Sequence, residues 1–130
     1  MVKRSIGKIK APTIVRKVGA SPEQQEIINY AYEISKEINF IYTLEAENGT
    51  YGIHRVSKNI GANGYRDVGL CQLNRQYHSP FIDSDEFNDY RAQIRYCWAV
   101  WQDAVKKGRL NTTFYGYNNI HKTKLNFEIL

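Results

Sequence analysis

Two neighbouring segments decide the reading of this chain: Leu44-Glu45-Ala46-Glu47-Asn48-Gly49-Thr50 and Asn63-Gly64-Tyr65-Arg66-Asp67-Val68-Gly69-Leu70-Cys71-Gln72-Leu73-Asn74. In the first, an apolar helix ends on a carboxylate; in the second, a carboxylate follows a glycine-rich loop. A carboxyl at a helix end flanked by core residues is shielded from water, and shielding raises its pKa until it holds a proton near neutrality. Such a group can protonate a leaving oxygen, which is what cleavage of a glycosidic bond requires. Glu45 and Glu47 compete for that role. A helix turns by about 100° per residue, so the two face nearly opposite ways. Glu47 adjoins the Asn48-Gly49 stop, and thus the mouth of the loop, which makes it the expected acid. Glu45 is expected to face solvent or an outer partner, and Gly49 to close the helix in a left-handed conformation.

Upstream, Ser21-Pro22-Glu23-Gln24 supplies an N-cap, a proline at the first helical position and a capping-box glutamine. A helix is predicted from there to about Ser35, a turn over Lys36-Glu37-Ile38-Asn39, and a second helix from about Phe40 to Glu47. The stretch 49–66 reads as a long loop or small hairpin beside the cleft, and 72–77 as a short helix. Ser84-Asp85 opens the longest periodic stretch, in which Phe87, Tyr90, Ile94, Cys97, Trp98, Trp101 and Val105 form one apolar stripe. Their place on that stripe makes Trp98 and Trp101 core residues rather than sugar platforms. A last short helix is expected over 112–117, and 121–130 shows no assignable pattern. The expected fold class is α+β and predominantly α-helical, a single domain over 21–130 preceded by a basic, irregular and flexible arm over 1–20.

Taken in order, these pieces resemble the superfamily of chicken-type lysozymes and small lytic transglycosylases. Members share a helix ending in Glu before a small polar residue, a variable loop with Asn and Gly, and then Asp-x-Gly-x-x-Gln-x-Asn, present here as Asp67 to Asn74. A late Tyr-Asn pair also has its counterpart, Tyr117-Asn118. The resemblance covers residues 25 to 119. It implies a lysozyme-like fold, peptidoglycan glycan strands as the partner, and cleavage of the β-1,4 bond between N-acetylmuramic acid and N-acetylglucosamine. It further implies Glu47 as general acid, Asp67 as the second carboxylate, Gln72, Asn74 and Tyr117 as sugar-binding residues, and no cofactor. The chain departs from the pattern where Asn48 stands for the usual Ser and Asn119 for the usual Gly. The cysteines of secreted animal lysozymes are missing too, which points to a bacterial or phage branch. Asp67 has a second reading as a turn-capping residue, and the whole chain has one as a glycan-binding relative without turnover.

The bulk numbers bound these readings. A composition that is 42% hydrophobic and 24% charged belongs to a packed chain rather than a disordered one. The formal net charge of +5 is concentrated in Lys3, Arg4, Lys8, Lys10, Arg16 and Lys17, with no acid among the first twenty residues. Such an arm would be drawn weakly to polyanions, which is the sole support for nucleic-acid binding. Its charges and Pro12 interrupt any signal-peptide core. The expectation is therefore synthesis in the cytosol and delivery by another route, as for a phage lysin or a virion component. Cys71 and Cys97 have no metal-site spacing and are expected as free buried thiols. His54, His78 and His121 read as loop or surface residues, with no metal.

Overall fold

Ser21 opens the first helix in the way its neighbours dictate. The computed structural model describes residues 11–130, and in it α1 (Pro22–Ser35) carries a complete capping box: Ser21 Oγ accepts from the Gln24 N–H, and the Gln24 side chain accepts from the Ser21 N–H. Ile27, Ile28 and Ala31 line its buried face. The helix ends on Lys36, which adopts a left-handed conformation (φ 51°). Glu37 then caps α2 (Ile38–Glu47) through its carboxylate, which accepts from the Asn39 N–H. This helix begins two residues before the predicted Phe40.

The centre of the core is α2, with Phe40, Ile41 and Thr43 wholly buried and Leu44 nearly so. Phe40 packs on Trp98 and Trp101, ring centroids 5.1 and 6.0 Å away. Trp101 sinks its ring into this core because its indole N–H finds Thr43 Oγ1 at 3.2 Å. Burying a Phe of this kind contributes about 2–3 kcal/mol.

Downstream, β2 (Asp67–Val68) and β3 (Leu73–Asn74) form an antiparallel hairpin, extended by a bridge between Val56 and Val68. The hairpin takes residues assigned in part to a helix starting at 72. Helix α3 (Arg75–Ile82) begins only after Asn74, which caps it. Pro80 interrupts this helix, which kinks at His78 (φ −127°, ψ 15°). The long stripe starts as a 3-10 turn over Asp85–Asn88, and Asp89 then caps α4 (Tyr90–Lys106). Phe87, Ile94, Cys97 and Trp101 are buried as the periodicity predicts, whereas Val105 is 48% exposed.

The chain closes with α5 (Leu110–Thr113), a 3-10 segment Tyr115–Asn119, α6 (Ile120–Thr123), a further 3-10 turn and β4 (Phe127–Ile129). β4 pairs antiparallel with β1 (Val15–Lys17). Two expectations are corrected here. The end of the chain, without assignable pattern in the sequence, contains a strand, and residues 15–17 are not an irregular arm but its partner, with Val15 only 2% exposed. Arg16 pairs with Glu128 and Lys17 with Glu45, so two of the arm's cations belong to the fold. The first ten residues of the flexible arm expected over 1–20 lie outside the described residues. Over the described residues the class is α+β and about 57% helical, with six α-helices and two small sheets. No helix among them is long and apolar enough to cross a membrane.

Candidate active site

The last residue of α2 is Glu47, and its carboxylate Oε2 accepts a 2.6 Å hydrogen bond from the backbone N–H of Gly116. The 3-10 segment carrying Gly116 lies against the helix end so closely that a side chain there has no room. A Cβ on Gly116 would sit 2.9 Å from both Ala46 Cβ and Glu47 Oε2. Burial pushes the Glu47 carboxyl up to about 7; the Gly116 bond opposes the rise and the charge of Asp67 adds to it. The group therefore exchanges its proton around neutrality, where a general acid is most useful.

Of the two parts expected of Glu45, solvent or an outer partner, it takes the second. It faces away from Glu47 but is not solvated, its side chain being 8% exposed. Tyr51 Oη donates to it at 2.5 Å, Lys17 Nζ pairs with it at 3.1 Å and Asn126 Nδ2 donates at 3.3 Å. Burial and the Glu45 carboxylate hold the Tyr51 hydroxyl well above its ordinary pKa. This cluster fastens β1 and the end of the chain to the back of α2. The helix stop also differs from expectation: Asn48 ends α2 at φ −152°, and the left-handed residue nearby is Tyr51 (φ 58°), not Gly49.

Asn48 is wholly buried. Its Nδ2 donates to the carbonyls of Gly52 at 2.8 Å and Gly69 at 3.0 Å, and its Oδ1 accepts from Thr50 Oγ1. A serine could not reach both carbonyls. Asn48 thereby ties the end of α2 to the hairpin carrying Asp67. Gly69 (φ 87°) needs its missing side chain, since a Cβ would lie 2.8 Å from Gln93 Oε1 and 2.9 Å from the Phe87 ring. The buried Gln93 Oε1 accepts from the Leu70 N–H, and its Nε2 donates to the carbonyls of Ile53 and Phe87.

Cys71 sits in the hairpin turn and is joined to Cys97 of α4 by a disulfide. The expectation of two free thiols is corrected: packing the turn on α4 brings together two cysteines 26 residues apart, with Cα atoms at 6.2 Å.

The hairpin and the helix end face one cleft of about 830 Å³, lined by Glu47, Asp67, Gln72 and Asn74 among others. Four of the five expected site residues are thus gathered. Asp67 Oδ1 accepts from Asn74 Nδ2 at 3.0 Å, while Asn74 Oδ1 accepts from Asn63 Nδ2 and the Gln76 N–H. Gln72, in a left-handed conformation (φ 54°), donates to the carbonyls of Gly69 and Arg55 and so braces the turn beneath the cleft. Tyr117 is the exception. It lines a separate hollow with Leu110, Asn118 and His121. Its expected place on the cleft belongs to Tyr115, 80% exposed, together with Tyr77 from α3, 71% exposed. His78 is likewise a cleft residue, its Nδ1 hydrogen-bonded with Tyr96 Oη at 2.7 Å and its pKa lowered by burial. Among the described residues, no three His, Cys, Asp or Glu side chains are gathered as a metal ion would need.

No family model, no curated protein and no solved structure matches this chain.

Proposed function

We propose that this protein cleaves the glycan strands of peptidoglycan at the β-1,4 bond of N-acetylmuramic acid, with Glu47 as the general acid, on a lysozyme-like fold. The observation that carries the reading is the Glu47 carboxyl, poised to lose its proton near pH 7 inside an open cleft that it shares with Asp67. The Gly116 N–H engages Oε2, which leaves Oε1 to present the proton to a glycosidic oxygen. As that proton transfers, the C1–O bond breaks with its electron pair going to oxygen, and one sugar departs as an alcohol. Positive charge develops on the other sugar ring, and the Asp67 carboxylate on the cleft wall stabilises it. Glu47, now ionised, takes the proton of the incoming hydroxyl. If that hydroxyl is the sugar's own, the product is an anhydromuropeptide; if it is water's, the product is a reducing end.

The exposed rings of Tyr77 and Tyr115 offer flat apolar faces to the C–H faces of sugars, with their hydroxyls left to hydrogen-bond. A cleft of this volume is within the range of ligand sites. Turbidity clearing of purified sacculi by wild type and by Glu47→Gln tests the reading. Clearing that disappears with the substitution is expected. Clearing that survives it rules out Glu47 as the acid, and no clearing by either protein favours a glycan-binding role. The mass of the released muropeptides, lighter by one water for the anhydro product, distinguishes the two chemical outcomes.

A further inference from the structure

We infer that the corner of the cleft between α4 and α5 is a carboxylate-binding subsite, with Arg109 as its cation and the peptide stem of the wall as its ligand. The inference rests on the glycosidase reading and extends it from the sugar to its substituent. The carboxylates and the lysine and arginine side chains lining the cleft are Glu47, Asp67, Asp103, Lys107 and Arg109. Asp103 and Lys107 neutralise each other at 3.1 Å, and Asp67 is held by Asn74. Arg109 alone among these cations has no ion-pair partner among the described residues.

Its backbone is nevertheless firmly held. Gly108 (φ 64°) turns the chain at the end of α4, and the Arg109 N–H donates to the Ala104 carbonyl at 2.8 Å. The Arg109 carbonyl accepts from the N–H groups of Thr112 and Thr113 and from Thr112 Oγ1. A fixed root thus carries an exposed arginine that lines the cleft. A glycan of N-acetylated sugars offers it no anion while the lactyl group is amide-linked to peptide. The stem peptide carries free carboxylates, which the planar guanidinium fork can engage in a bidentate manner.

Anisotropy of the labelled protein, carried out on the Glu47→Gln background with soluble, uncross-linked glycan strands, measures binding apart from turnover. One batch of strands keeps its stem peptides. The other is stripped by an amidase, which removes the peptide and exposes the lactyl carboxylate. Arg109→Gln should weaken binding to the peptide-bearing strands by roughly 1.5- to fivefold, the range of an exposed ion pair, and leave binding to the stripped strands unchanged. Arg109→Lys should recover part of the loss. Thermal melts of all variants should coincide, because the backbone bonds at 109 do not involve the side chain. An equal loss on both substrates, a loss confined to stripped strands, or no loss on either would overturn the subsite. Arg109-dependent binding without cleavage by the protein carrying Glu47 would overturn the glycosidase reading alone, and cleavage without it would overturn the subsite alone.

Discussion

Glu47→Gln should stabilise the fold at alkaline pH and leave its stability unchanged at acid pH. The carboxyl's pKa rises from its ordinary 4.5 to about 7 on folding, so between those values the folded chain holds a proton that the unfolded chain has released. Below 4.5 both states are protonated and the group adds nothing. As pH climbs to about 7, wild-type stability falls by up to 1.36 kcal/mol per pH unit. Above that the loss is constant at about 3 kcal/mol. Glutamine has the same shape and no charge, and its amide oxygen can still accept from the Gly116 N–H. The difference in unfolding free energy, variant minus wild type, should therefore grow from near zero at about pH 4 to about 3 kcal/mol at about pH 8, or roughly 10 °C in Tm. Urea unfolding across that range measures it, with equal m-values showing that both proteins expose the same surface. A difference independent of pH would refute the claim that burial holds the proton on this carboxyl.

Other substitutions probe the supports of the acid. Gly116→Ala should destabilise the fold by about 1–3 kcal/mol and reduce cleavage more than about tenfold, because its Cβ would press on Ala46 and Glu47; denaturation and clearing assays read both. Asn48→Ala leaves two carbonyls and a hydroxyl without their partner and should lower stability by about 2–4 kcal/mol, seen as a lower urea midpoint. Replacing both Cys71 and Cys97 by Ser opens a loop closed across 26 residues and should lower the unfolding free energy by about 3.5 kcal/mol; reduction with dithiothreitol should do the same to wild type and nothing to the variant. Asp67→Asn removes a charge that raises the Glu47 pKa, so the loss of activity with rising pH should begin lower, by less than about one pH unit, in a pH–rate profile.

The place of Glu47 at the end of α2 on the cleft was legible because the helix stop is a local signal. Asp67, Gln72 and Asn74 were legible as a motif, and the first helix from its capping box. Gly116 was not: it lies 69 residues from Glu47 and acts through a backbone N–H, which has no side-chain signature. The pairing of Cys71 with Cys97 was hidden for a related reason, since no spacing rule covers two cysteines brought together by packing. Gln93 is a polar residue off the apolar stripe of its helix, with nothing local to mark it, yet tertiary packing buries it against three backbone groups. Tyr115 and Tyr117 are two residues apart in one short segment, and the turn of the chain there decides which ring meets the cleft. Strands of three residues, such as β1 and β4, are too short for a period-two pattern to stand out.

The pairing of β1 with β4 sets an order of events. Arg16 and Glu128 are 112 positions apart, so as the chain leaves the ribosome its early strand waits for all the intervening residues before its mate emerges. The half-buried ammonium of Lys17 and the Asn126 amide reach Glu45 only once that closure is made. Contacts so remote slow folding through the entropy of closing a long loop. A nascent chain arrested before residue 126 would lack the brace behind the acid's helix, and protease-resistant signal from stalled chains should appear late and abruptly.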